Sequence, residues 1–264
     1  MHRTGIRPRS DGHRFAHENG PIERIGYLTG VVLMVSGLFH LGILVSTGGS
    51  WDGPLSWRKP ATFGLSFGLT LITIVWVTSF VRLRERNRTM ILGALTTASV
   101  IETVLITMQT WRGVPSHFNV ETPFDAWVTR GLAGGGIALV LLIVALTVAA
   151  FRKPIDPIPG MKVAVRTGFA ILCGAMATGA VMIARGMMLV SSGNASAAYA
   201  TGGILKPTHA VTMHAVLVLP ALAWLLSRTQ LSENRQRGAV HIASAGYTLF
   251  AVAIATANVA VMLR

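Results

Sequence analysis

The stretch "IGYLTGVVLMVSGLFHLGILVS", residues 25–46, decides the fold. At about 1.5 Å per residue a helix of this length reaches across the hydrocarbon core of a bilayer, about 30 Å. Its only side chain that titrates near neutral pH is His40. Six further stretches have the same character: 61–81, 90–111, 130–151, 163–185, 207–227 and 239–262. The expected fold is an all-α integral membrane protein, a bundle of seven transmembrane helices occupying residues 23–264. Residues 1–22 carry Arg, His, Asp and Gly without an apolar core, and are expected to form a flexible polar arm rather than a signal peptide.

Composition agrees with this reading. The chain of 264 residues is 52% hydrophobic and 12% charged, with a mean hydropathy of +0.57, too few charges to cover a soluble globule of that size. A net charge of +13 would suggest nucleic acid in a soluble protein. Here the basic residues lie in short segments between apolar runs, where they set topology, so the bilayer is the expected partner and nucleic acid is not. Cys173 is the only cysteine and lies inside an apolar run, which excludes an intrachain disulfide and a cysteine-based zinc motif.

Lys and Arg divide unevenly between alternate sides of the seven spans. One side carries sixteen, from the N-terminal arm and the segments 82–88, 152–166 and 228–237; the other carries seven. The N-terminus is therefore expected inside and the C-terminus outside, in the cell membrane, with the long segments 47–59, 112–129 and 186–206 facing the extracytoplasmic side. Function is expected on that side, where long loops concentrate. A faint repeat accompanies this plan: "RKPATF" opens the second span and "LKPTHA" the sixth, which fits three helices, one linking helix and three more.

Ionisable groups at depth are the sharpest pointers, since each costs about 2.5 to 3.5 kcal/mol at a helix centre on insertion scales. Counted from the outer ends, His40 is about 9 Å deep, Glu102 about 13 Å and His214 about 10 Å. Glu102 and Gln109 are seven apart and share a helical face, while Thr62, Ser66 and Thr70 stripe the second span. Gly134, Gly135 and Gly136 leave room on the fourth for close approach. The expected site is an outward polar cavity built from the first, second, third and sixth helices and roofed by residues 112–129. Glu102, His214 and His40 are its catalytic candidates.

Around the mouth, Gln109, Arg112, His117, Asn119, Arg58, Lys206 and Arg185 are expected to contact substrate, the cations suiting a phosphate or carboxylate head group. His40, His209, His214 and His117 are the candidate metal ligands, for haem or a divalent metal. His209 and His214 are five apart on one helix and point about 140 degrees apart, against their sharing an ion. Desolvation favours a neutral carboxyl at Glu102, which suits a proton donor beside a histidine base.

These features lead to an expected membrane-embedded enzyme or redox protein acting on a lipid-soluble or quinone-like small molecule. The alternative is a proton-coupled small-solute transporter, or a receptor-like binding protein.

Overall fold

The computed structural model describes residues 20–194, 197–198 and 203–262, so the expected N-terminal arm falls almost wholly outside the described residues. Among the described residues seven long helices follow one another: α1 (Pro21–Thr47), α2 (Arg58–Thr78), α3 (Glu85–Trp111), α4 (Pro123–Arg152), α5 (Met161–Ser191), α6 (Lys206–Leu226) and α7 (Glu233–Met262). Each is long and apolar enough to cross a membrane. The only β pairing among the described residues is an isolated bridge between Val81 and Ile155. The protein is an all-helical, polytopic, seven-helix membrane bundle.

Helix ends follow local chemistry. α4 starts well before the expected residue 130 because Thr122 caps it, its hydroxyl accepting from the Asp125 amide at 3.1 Å, and Pro123 takes the first turn. The far end of α4 is capped by Arg166 of α5, whose guanidinium donates to the Ala150 and Phe151 carbonyls at 3.1 and 2.9 Å. We call the end bearing segments 48–57 and 112–122 the roof, and the opposite end the floor. At the floor the 79–84 and 153–160 segments pair through Arg82 N to Pro154 O at 3.0 Å and Asp156 N to Phe80 O at 2.9 Å.

Lipid supplies little hydrophobic drive between helices, so association rests on close packing of small residues. A Cβ on Gly30 of α1 would lie 2.9 Å from the Gly68 carbonyl of α2, and one on Gly64 would lie 2.8 Å from the Gly37 Cα. The α1–α2 backbones therefore touch. α5 and α6 meet in the same way: a Cβ on Gly168 would lie 3.1 Å from the Ala215 carbonyl. These are the two most intimate helix pairs in the bundle.

That likeness extends through both halves. Shifting α2 by 147 positions carries Lys59-Pro60 onto Lys206-Pro207 and Gly68 onto Ala215. Shifting α1 by 138 carries the buried Glu23, Gly26, Gly30 and Gly37 onto the buried Met161, Ala164, Gly168 and Ala175. Shifting α3 by 148 carries Arg88, Leu92, Thr96 and Thr103 onto Gln236, Val240, Ser244 and Ala251, the four buried residues of α7. The contacts α1–α2, α2–α3 and α1–α3 recur as α5–α6, α6–α7 and α5–α7. The chain is thus built from two similar three-helix units joined by α4. Both units start at the floor, so they run parallel, and the equivalent helices α2 and α6 touch each other across their common axis.

Candidate functional site

His40 is 3% exposed and sits in an aromatic box near the roof end of the first unit. Its ring stacks on Trp57 at 6.0 Å between centroids and 20°, and meets Trp111 edge-on at 6.2 Å. Both ring nitrogens are used: Nδ1 donates to the Ser36 carbonyl at 2.7 Å, and Nε2 accepts from the Trp111 indole at 3.1 Å. This assigns the neutral ring with its proton on Nδ1. His40 ties α1 to α3.

Glu102 and Gln109 share a face of α3, and that face meets α4. Glu102 is 4% exposed and its carboxyl is seated against Gly135, where a Cβ would collide with Oε1. Glu102 Oε1 has no hydrogen-bond partner. Two turns toward the roof, the fully buried Gln109 amide donates to Asp125 Oδ1 at 2.9 Å, and its oxygen accepts from Arg112. Arg112 also pairs with Asp125 Oδ1 at 2.6 Å and lies over the Phe124 ring at 4.7 Å, while Thr122 donates to Asp125 Oδ2 at 2.6 Å. Every strong donor around the Asp125 carboxylate is engaged in a clamp that fastens the end of α3 to the start of α4.

The roof segment 112–122 crosses from the first unit to the second. Ser116 Oγ bonds His117 Nδ1 at 3.0 Å, and the His117 ring packs against Phe63 of α2 at 5.8 Å. Burial, with a smaller contribution from the Lys59 charge, pushes the His117 ring down to about 4. Phe118 has a φ of 62°, a conformation that costs a non-glycine residue about 1 kcal/mol or more, and its ring fills the space beside Gly186 of α5. Asn119, 1% exposed, accepts from the Glu121 amide at 3.0 Å and from Thr129 through its carbonyl at 2.7 Å; its Nδ2 has no partner.

Between α2 and α6 lies a partly open pocket of about 10 Å³, the size that admits a single water, with His214 exposed at it. Its lining includes three residues of α2 with their equivalents in α6: Ser66 with Met213, Leu69 with Val216 and Thr70 with Leu217. Thr73 and His214 complete it. His214, an exposed residue, donates Nδ1 to the Ala210 carbonyl at 2.7 Å. Pro220, the equivalent of Thr73, removes the amide that would otherwise bond the Val216 carbonyl of the lining. On the floor side Trp76 and Trp224 meet edge to face at 6.4 Å.

At the roof end of this seam stand Lys59 and Lys206, equivalent residues at the starts of α2 and α6, with Arg58 close enough for its charge to act on both. Arg58 donates to the Trp51 carbonyl at 2.8 Å, and Asp52 of the same 48–57 segment acts on Lys206. Arg185 stands apart, half-buried on α5 without a hydrogen bond or ion pair among the described residues. His209 is directed to the Ala175 carbonyl of α5 at 2.8 Å.

The structure therefore separates the three residues expected at one level. His40 belongs to the α1–α3 contact, Glu102 to the α3–α4 seam and His214 to the α2–α6 axis. Gln109 and Arg112 are brought together in the clamp, and Arg58 and Lys206 at the mouth of the axis. Among the described residues no three His, Cys, Asp or Glu side chains converge, and His40 has no free ring nitrogen. A divalent ion held by protein side chains alone would need such a group, and His40 has no ring nitrogen left to offer a haem iron. Sequence reasoning gave no role to Trp57, Trp111, Asp125 and Phe118. Only Asp125 carried a local signal, as the third residue after a capping threonine.

Comparison with protein-family models, with curated proteins and with solved structures finds no match. What the fold defines is a class, the polytopic helical membrane proteins.

Proposed function

We propose that the protein carries a small anionic solute across the membrane along the axis between its two three-helix units. The observation that carries this reading is the α2–α6 pocket, lined by equivalent residues of both units, in a chain whose units run parallel. Sites on the axis between repeats are the usual arrangement in transporters built by duplication, because the two units can rock about a fixed site. Ser66, Thr70, Thr73 and His214 offer hydroxyl and imidazole groups there. Arg58, Lys59 and Lys206 at the roof end favour entry of a carboxylate or phosphate, aided by two helix N-termini.

In this reading the Trp76–Trp224 pair bars the floor side of the path. Acid-base or redox chemistry on a lipid-soluble substrate, the other expectation, would need Glu102, His40 and His214 around one substrate, and they stand at three separate helix contacts.

The test places single cysteines at Ser66 and Met213, in a chain with Cys173→Ala, reconstituted in vesicles. Both positions are expected to react with a membrane-impermeant thiol reagent at similar rates. An excess of the transported anion, sought by counterflow among small carboxylates and phosphate, should slow both by tenfold or more. Reaction at neither position, or at only one, would sink the axial path.

A further inference from the structure

Glu102 is a buried carboxyl without a task in the axial path. It lies on α3, in the seam with α4, and its Oε1 is unpartnered at 4% exposure. The space it occupies exists because residue 135 is glycine. Among the described residues no cation or hydrogen-bond donor reaches Glu102 Oε1. Across the seam α4 presents Gly131, Leu132 and Gly135, and α2 contributes Phe63 to the apolar cluster of Ile106, Val128 and Leu132 just above.

The titratable groups of the packed elements are engaged elsewhere: on α2, Arg58 donates to the Trp51 carbonyl at 2.8 Å and Lys59 stands beside it at the roof end. On α1, His40 is bonded to Ser36 and Trp111; toward the roof, Arg112 and Asp125 are bonded to each other; Arg130 of α4 is exposed and lies over Trp127 at 5.8 Å. On α3 itself Ser99 and Thr103 spend their hydroxyls on the Leu95 and Ser99 carbonyls.

We propose that Glu102 is a reversible proton-binding site that controls the α3–α4 seam, and through it the placement of one three-helix unit against the other. A carboxyl with a proton fits this apolar seam at small cost, whereas a carboxylate there finds neither cation nor donor for its Oε1 among the described residues to offset its desolvation. Release of the proton to water therefore requires the seam to part enough for hydration. α4 is the covalent link between the units, fastened to α3 at the roof by the Asp125 clamp and to α5 at the floor by Arg166. A seam that yields at Glu102 shifts that link. The coupling part of this proposal rests on the two-unit reading above, while the proton site stands without it.

The experiment is infrared difference spectroscopy of the full chain in lipid as pH is raised from mildly acid to alkaline. It is paired with the distance between spin labels at Val104→Cys of α3 and Ile137→Cys of α4, both exposed positions, in a Cys173→Ala chain. The expected result is a protonated-carboxyl band lost on alkalinisation, absent from Glu102→Gln, with a label distance that lengthens at high pH and stays fixed in that variant. Gly135→Ala crowds the carboxyl and should shift the same band, which keeps the assignment testable if Glu102→Gln does not fold. A spectrum with no pH-sensitive band that either substitution alters would overturn the proton site. The band without the distance change would overturn its control of the seam. Neither readout needs a solute, so failure here is distinct from failure of cysteine labelling along the axis.

Discussion

The two three-helix units share their packing and differ in their chemistry. At equivalent positions the first unit has Glu23 and Arg88 where the second has Met161 and Gln236, His40 where the second has Thr178, and Glu102 where the second has Phe250. The backbone contacts persist across the same comparison, with Gly30 and Gly168 both seated against a carbonyl of the next helix. Positions that set how closely helices approach are held to small residues by sterics, so both units keep them. Positions carrying charge are held only by whatever each unit does, and there the units have parted. The polar chemistry of the molecule is concentrated in α1 to α3, with the second unit supplying a matching frame.

The Glu23–Arg88 pair should break this comparison most visibly. Arg88 Nε lies 2.5 Å from Glu23 Oε1, with the two side chains 1% and 6% exposed. Removing one partner leaves a buried charge, so Arg88→Met should cost about 3 to 5 kcal/mol. The double change Glu23→Met with Arg88→Gln installs the second unit's solution and should recover most of that loss. Denaturant unfolding in mild detergent measures both; equal stability of the single and double variants would mean the pair is not what holds α1 to α3 there.

Smaller effects are expected at the seams. Gly30→Val and Gly168→Val each push a branched side chain into a neighbouring carbonyl and should destabilise by about 1 to 3 kcal/mol. Gly42→Ala, where a Cβ meets nothing within 4 Å, should be near neutral by comparison. If Gly168→Val were tolerated while Gly30→Val was not, the second unit's packing would be looser than the first's, and the likeness would be one of pattern only.

The smallest effect concerns the roof. The His117 ring titrates near 4, below the ordinary value of about 6.5, so between those values the unfolded chain binds more protons than the folded one. Stability of the roof segment should thus be complete above about 6.5 and fall as pH drops toward 4. Amide exchange over residues 112–122 should quicken across that window, and His117→Gln should flatten the dependence.

Much of the fold was legible because lipid makes each span declare itself by length and apolarity, and the seven expected stretches fall within the seven helices to within a few residues. The face shared by Glu102 and Gln109 was also legible, because spacing along one helix fixes it. Which helix that face meets was not, since the contact with Gly135 joins residues far apart in the chain. The clamp on Asp125 and the Glu23–Arg88 pair escaped for the same reason. The repeat showed only as two Lys-Pro openings, because what the units retain is the spacing of buried positions and the smallness of side chains, not identity.

α4 has no counterpart in either unit, and its presence follows from parity. A unit of three crossings ends on the side opposite its start, so a second copy joined directly would thread the bilayer upside down. One additional crossing returns the chain to the starting side, and the copies then insert with the same sense. Excising residues 123–152 should therefore give a chain whose last three helices face a choice between two insertions, each favoured by a different set of flanking arginines.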